Sequence, residues 1–332
     1  MKGILVGLGK RSRGWVAACR EHPDVELVAV CDTDPGARER FAAEAAGGPA
    51  VFAGVAEALD AVGADFVLDV TPPSAHGKVA LAAFAAGLHV LGEKPMCETM
   101  AEAREVVAAG ESAGVVHMIA QNYRFGPLPR TTRRLIAGGA IGRPGQVHVA
   151  LYVSWADRPG SYYVTAPYMF LTDMGVHHFD LMRYVLAADP LSVRATSWNQ
   201  PWGWHAGDAC HAAVFDFPDS LKAVHVGMGC CMGRQTTANG DWRIEGPEGG
   251  ILWADDRIVL AREHRTDRRR REEVAPDALP ATGTAAILSE FVAAVRERRE
   301  PECSARDNLK SLAMALGAVE SARTGGAVDL RV

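Results

Sequence analysis

Lysine is scarce in this chain. Six are present, at positions 2, 10, 78, 94, 222 and 310, against 29 arginines. Where either cation would serve, the sequence uses arginine, so a lysine in a chemically suggestive place is less easily put down to chance. Long apolar runs are missing too. No stretch reaches the roughly 18 successive apolar residues of a membrane span, and the N-terminal MKGILVGLG is apolar for too few residues to be a signal peptide. A cytoplasmic protein is expected. Positive charge is not in excess: the net charge is −5, which gives no reason to expect nucleic acid or an anionic membrane as partner. The one basic cluster, RTDRRRREE (265–273), is flanked by acids and reads as a solvated strand or loop face. The seven cysteines are odd in number and contain no CxxC spacing. That argues against a disulfide framework and for free thiols in a reducing compartment, with the adjacent Cys230 and Cys231 as packing residues. No HxxxH pair occurs, so no metal centre is expected.

What is present is an ordinary globular balance over 332 residues, 48% hydrophobic and 23% charged. Such a chain suits about two domains and can bury a core without disulfide or metal. In the first third, strand and helix patterns alternate. KGILVGLG (2–9), ELVAVCD (26–32), FVLDVTPP (66–73) and HVLGEKP (89–95) read as strands. RGWVAACREH, RERFAAEAA, SAHGKVALAAFAAG (74–87) and TMAEAREVVAAGESAG read as helices, the last opening with a Thr99/Glu102 capping box. This alternation predicts a doubly wound parallel sheet.

The first strand ends in glycines and runs into a helix. Gly7 allows a tight turn, and Gly9 lets the backbone approach a pyrophosphate at the helix N-terminus, whose N–H groups and dipole attract the anion. The third glycine of G-x-G-x-x-G is replaced by Ser12, and Gly14 comes two residues late. Asp32 ends the next strand at the distance expected for an acid that holds the adenosine ribose hydroxyls. Its carboxylate would repel a 2′-phosphate, which favours NAD over NADP, although Arg38 nearby blunts that preference.

LGEKPM (91–96) places Glu93 and Lys94 at the carboxyl end of a predicted strand, where open parallel sheets bind ligands. Downstream, DMGVHHFDLMRYV (173–185) holds two adjacent histidines. On a helix, residues three and four apart share a face, so Asp173, His177, Asp180 and Tyr184 form one polar stripe. His178 turns about 100° away, onto the face of Leu181, Met182 and Val185, and reads as a core histidine. One histidine on the polar face suits acid–base chemistry better than a metal. Imidazole, with an ordinary pKa of about 6.5, can take an alcohol proton near neutral pH. Asp173 can orient it, and Lys94 can donate to the oxygen where alkoxide charge develops.

GLGKRSRG, TPPSAHGKVALAAFAAGLHVLGEKP (71–95), QNYRF (121–125) and DMGVHHFD (173–180), in this order and spacing, resemble the Gfo/Idh/MocA oxidoreductases, the family of glucose–fructose oxidoreductase and inositol dehydrogenase. The resemblance implies an N-terminal Rossmann domain and a C-terminal α/β domain built on a large open, mostly antiparallel sheet. It implies NAD or NADP as cofactor and oxidation of a sugar or polyol hydroxyl, or reduction of the ketone. Carried onto the matching segments, it gives Lys94, Asp173 and His177 as catalytic. Cofactor contacts follow at Gly7, Gly9, Arg11, Ser12, Asp32, Thr71, Pro72, His76, Glu93, Lys94 and Gln121. Substrate contacts follow at Tyr123, Arg124 and Asp180, and Trp155 and Asp157, beyond the matching segments, are expected to join them. It also implies a homodimer or homotetramer through the C-terminal sheet.

The second half fits that outline. A basic helix, RTTRRLIAGG, precedes a long strand, GQVHVALYVSWADRPG (145–160), whose far end carries Trp155, Asp157 and Arg158. LSVRATSW, ACHAAVFDF, LKAVHVGMG, DWRIEGPEGGILWA and DRIVLARE then read as a meander of strands, and helices near 284–299 and 304–323 finish the chain. The expected domains are 1–122, 123–283 and a helical segment 284–332 able to pack back on the first. Trp155, Tyr162, Tyr163, Tyr168 and the loop NQPWGWH (199–205) supply aromatic faces suited to a sugar ring. Two other functions use the same site. One is glycoside hydrolysis or elimination through transient oxidation, with no net redox change. The other is a non-catalytic sensor, against which the intact Lys94/Asp173/His177 set speaks.

Overall fold

The computed structural model describes residues 1–45, 47–154, 162–262 and 270–332. They form two compact units: Met1–Asn122 with Pro280–Leu309, and Tyr123–Leu279 with Lys310–Val332.

The first unit alternates strand and helix: β1 (Lys2–Val6), α1 (Ser12–Glu21), β2 (Glu26–Cys31), α2 (Pro35–Glu44), β3 (Ala50–Phe52), α3 (Val55–Ala61), β4 (Phe66–Asp69), α4 (Pro73–Ala85), β5 (His89–Gly92), α5 (Met100–Ala113) and β6 (His117–Ile119). The six strands pair in the order β3-β2-β1-β4-β5-β6, every pair parallel. β4 is buried along its whole length, as expected of a parallel strand covered on both faces. Helix starts follow local chemistry. Asp34 caps α2 by accepting from the Gly36 N–H, with Pro35 in the first helical position. Thr99 caps α5 through the Glu102 N–H at 3.2 Å.

The second unit runs through α6 (Pro127–Ala137), β7 (Gln146–Tyr152), the short α7 (Tyr162–Thr165), a π turn (Phe170–Met174) and α8 (Gly175–Leu186). Seven strands follow: β8 (Ser192–Trp198), β9 (Cys210–Asp216), β10 (Lys222–Met228), β11 (Asp241–Gly246), β12 (Gly249–Ala254), β13 (Arg257–Arg262) and β14 (Arg270–Val274). The sheet order is β14-β13-β12-β11-β7-β10-β9-β8-β15, where β15 is Val328–Asp329. Together with the six-stranded parallel sheet, this is the architecture the sequence predicts. One departure from a plain meander stands at the centre. β7 pairs parallel with β10 and antiparallel with β11, because the chain leaves β7 through α8 before laying down β8–β10. One face of the sheet is buried against α8: Phe179 meets Phe215 at 4.9 Å between ring centroids, and Trp242 stacks on Trp253 at 5.3 Å.

The predicted helical segment 284–332 divides. α9 (Gly283–Glu297) belongs to the first unit, where Phe291 packs on Phe66 at 5.4 Å and Arg296 bonds Asp24 at 2.7 Å. α10 (Ala305–Thr324) starts in the first unit and continues into the second, whose core includes Met314, Ala315 and Ala318. All seven cysteines are buried free thiols. Of the arginine cluster, 265–269 lie outside the described residues. Arg270–Glu273 lie on the exposed edge strand β14, where Glu273 pairs with Arg257. Among the described residues no helix is long and apolar enough to cross a membrane.

Candidate active site

In the first unit the expected cofactor residues gather at the carboxyl edge of the parallel sheet or at the helix starts beyond it. Gly7 follows β1 with φ +97°, and a Cβ there would lie 2.8 Å from the Val70 backbone, so only glycine fits. A Cβ at Gly9 would meet nothing within 4 Å. That open space lies at the start of α1, whose N-terminus has no side-chain cap. The donors a pyrophosphate needs are therefore presented to a space that can take it. Ser12 explains the missing third glycine. It is buried, and its hydroxyl turns back to the Gly9 carbonyl at 2.7 Å, so it tightens the turn itself.

Asp32 follows β2. Its carboxylate accepts from the Leu8 N–H at 2.6 Å and the Asp34 N–H at 2.8 Å, and Arg38 donates to its backbone carbonyl at 2.7 Å rather than to the carboxylate. Glu93, following β5, is buried and accepts from Arg11 Nε at 2.7 Å and Trp15 Nε1 at 2.8 Å, tying the start of α1 to the end of β5. Lys94 comes next and is half-buried. Thr71, beyond β4, donates through its N–H and hydroxyl to Asp69 Oδ1 at 3.0 and 2.6 Å. Burial pushes the Asp69 carboxyl up, and the nearby His76 and the Thr71 bonds pull it down. Pro72 sits at the N-cap of α4 and His76 in its first turn. Gln121, just past β6, has both amide atoms buried with no hydrogen-bond partner among the described residues. An orphaned amide at this edge suits a polar ligand group, so the residues present fit a dinucleotide.

In the second unit, Asp173 lies in the π turn and His177 in the first turn of α8. The turn is wide because the Gly175 N–H bonds the Phe170 carbonyl, five residues back, and a Cβ on Gly175 would sit 2.8 Å from that oxygen. Such turns are frequent at functional sites. The histidine doublet splits. The buried His177 ring stacks on Tyr123 at 4.2 Å and 13°. His178 points into the core, with Nδ1 2.9 Å from His225 Nε2 and Nε2 2.9 Å from the Ala238 carbonyl. Asp180 is 1% exposed. It accepts from Arg124 Nε at 2.6 Å and Nη2 at 2.7 Å, and from the Ser311 hydroxyl at 2.6 Å. Asp180 and Arg124 thus bond each other, with Arg124 also 5.6 Å over the Tyr184 ring. Trp155, Asp157 and Arg158 lie outside the described residues.

Several participants had no sequence signal. Trp15 reaches Glu93 and Ser311 reaches Asp180 across separations of 78 and 131 residues, so no local pattern announces them. In the 199–205 loop, Trp204 Nε1 and both ring nitrogens of His205 are buried with no partner among the described residues, and the His205 ring meets the Phe170 ring edge at 5.7 Å. Burial lowers the His205 pKa. Among the described residues no three His, Cys, Asp or Glu side chains gather as a metal site.

Comparison with known proteins matches residues 1–121 to the oxidoreductase family, NAD-binding Rossmann fold, and residues 129–252 to the GFO/IDH/MocA C-terminal domain. The chain is 31% identical to the D-apiose dehydrogenase of Paraburkholderia graminis, over 99% of this chain and 90% of that protein. It is 27% identical to the scyllo-inositol 2-dehydrogenase (NAD(+)) of Bacillus subtilis, over 93% and 90%. Its fold is similar to that of an oxidoreductase from Agrobacterium radiobacter solved with NAD+, L-tartaric acid and magnesium, with TM-score 0.89 and 21% identity over 99% and 98% of the chains.

Proposed function

The chain belongs to the Gfo/Idh/MocA oxidoreductase family, and from that premise we propose that it transfers hydride between NAD and a hydroxyl or ketone of a sugar, cyclitol or sugar derivative. The observation that carries this reading is the carboxyl edge of the parallel sheet, where the Gly7–Gly9 turn, Asp32 and Lys94 share one rim. The relatives' substrates, a pentose and a cyclitol by name, support the substrate class.

Gly7, Gly9 and the first turn of α1 would hold the pyrophosphate, Asp32 the adenosine ribose, and the Gln121 amide a polar group of the same cofactor. NAD, when bound, supplies the acceptor for hydride from the carbinol carbon. His177 takes the hydroxyl proton on a ring nitrogen, Asp173 orients the imidazole, and Lys94 donates to the substrate oxygen as its negative charge grows. The Tyr123 ring fixes the plane of His177. Trp155 and Asp157 contact the sugar. Arg124 and Asp180 support α8 beneath His177, since Asp180 already accepts from Arg124 and Ser311. We further propose that subunits pair through the face of the nine-stranded sheet opposite α8.

The test is a panel of D-apiose, scyllo-inositol, myo-inositol and common aldoses, followed by NADH absorbance. At least one should reduce NAD, and Lys94→Ala and His177→Ala should each lower kcat by roughly a hundredfold or more. No NAD reduction across the panel, with aglycone release from glycosides at catalytic NAD, would instead support the elimination chemistry.

A further inference from the structure

His76 stands out for how its ring is bonded. It lies in the first turn of α4 and is 4% exposed. Its Nδ1 is 2.9 Å from the carbonyl oxygen of Pro95, and its Nε2 is 2.8 Å from the carbonyl oxygen of Thr71. Carbonyl oxygens only accept. A neutral imidazole carries one N–H and can satisfy one of them, whereas an imidazolium carries two and satisfies both. Acidic groups surround the ring. Asp69 faces it from β4, Glu93 from the end of β5, and Glu102 packs beside Gly77 from the start of α5. Against these stand Arg11, already bonded to Glu93, and Lys94, next to Pro95 in the chain. His117 from β6 is held neutral, since burial lowers its pKa to about 3. The internal void among Asp69, His76, Glu93 and His117 is about 10 Å³, no larger than a single water needs. The ring's partners are therefore backbone, not a ligand.

We infer that His76 is a positioning residue for Lys94: as an imidazolium it straps the carbonyl of Pro95, the residue after Lys94, to Thr71 at the end of β4. Both ring nitrogens serve the backbone, so neither is left to bond the cofactor. A neutral ring would release one of the two carbonyls, and the Lys94 segment would lose its tie to β4.

The inference rests on the role proposed for Lys94 and is tested by two readouts. The first is ¹⁵N NMR of the histidine rings in wild type and His76→Phe, without substrate. In the folded protein one ring should show both nitrogens protonated and donating, and that signal should be absent from His76→Phe. The second is turnover of the best panel substrate. His76→Phe should lower kcat by about tenfold or more while NADH binds within about twofold of wild type, and His76→Gln, which keeps an N–H donor, should recover part of the loss. A structural role alone would lower the unfolding temperature and leave kcat per folded enzyme unchanged. A neutral His76 ring in the folded protein, or a folded His76→Phe or His76→Gln with full kcat, overturns the strap. If Lys94→Ala keeps full turnover, the role of Lys94 fails as well. If Lys94→Ala is inactive while the His76 variants are not, the strap alone fails.

Discussion

Asp180 and Asp32 are both acids placed by pattern, and their surroundings differ. Asp180 is enclosed by Arg124 and Ser311 with 1% exposure. Removing one charge of a buried pair leaves the other uncompensated, at about 3–5 kcal/mol. Asp180→Asn should therefore lower the unfolding temperature by roughly 10 °C, measured by calorimetry. An unchanged transition with only a raised KM would return Asp180 to substrate binding. The spacing from Asp173 showed that Asp180 shares a stripe with His177. It gave no hint of Arg124, 56 positions away, because long-range pairing leaves no trace in helical periodicity. Asp32 was legible, since an acid at the end of the second strand is a local signal. Its carboxylate bonds the Leu8 and Asp34 amides, and Arg38 reaches only its carbonyl, so Arg38 leaves the carboxylate's charge uncovered. NADH should bind at least about tenfold more tightly than NADPH by fluorescence titration, and Asp32→Ala should narrow the gap. The reverse ranking would remove Asp32 from the ribose.

At the scale of elements, three buried histidines join α8 to the sheet. His178 donates from Nε2 to the Ala238 carbonyl, so its Nδ1 accepts from His225 Nε2, and His225 Nδ1 in turn accepts from His211 Nε2 at 2.8 Å. The order fixes every tautomer and leaves His211 Nδ1 bare, buried with no partner among the described residues. Gly227, opposite His211, makes room for the row: a Cβ there would lie 2.2 Å from the ring. Burial is the main cause holding His178 down at about 4, His211 at about 3 and His225 well below its ordinary value. The sign follows from linkage. The unfolded chain binds these protons below pH of about 6.5 and the folded chain does not, so stability is intact above that pH and falls below it. Each histidine contributes up to roughly 1.4 kcal/mol per pH unit between about 6.5 and 4. The stability of the second unit against denaturation should fall steeply from pH 6.5 to 5, and His211→Phe should flatten that slope by about one third. Equal slopes in both proteins would exclude the row as the cause. The sequence placed His178 in the core by its face. It could not show the row, because His211 and His225 are neighbours only through the β9–β10 register. Likewise β1, β2, β4 and β5 were legible as apolar runs. The three-residue strands β3 and β6 were too short to show a period, and the π turn depends on one glycine, Gly175, that looks like any other.

At the scale of the whole molecule, the undecided quantity is how many chains it contains. Strands β7 and β10, and β9 from His211 on, alternate between buried and more exposed residues. His211, Ala213, Phe215, Ala223 and His225 are buried on the side of α8, while Ala212, Val224, Val226 and Ala150 are half-buried on the other side and Val214 is 39% exposed. A sheet face that met only water would carry polar residues at such positions. Here Ala150, Ala212, Val214, Val224 and Val226 form an apolar patch across the central strands β7, β10 and β9. Polar side chains surround it: Gln146, His148, Asp216 and Lys222 toward one end of the same strands, Arg194 and Thr196 on β8 and Arg243 on β11. An apolar centre within a polar rim is how a subunit interface is composed. Area decides whether it suffices. Five strands spaced about 4.8 Å apart and about 20 Å long offer about 500 Å², but all nine offer about 800 Å², the share each partner needs in a stable complex. The whole sheet must therefore take part, and a charge at its centre should break it. Light scattering should give a dimer or tetramer for wild type. Val226→Arg should give monomers with an unchanged circular dichroism spectrum, because Val226 points away from the core that folds the unit. A monomeric wild type, or a Val226→Arg protein of unchanged mass, would assign this face to solvent.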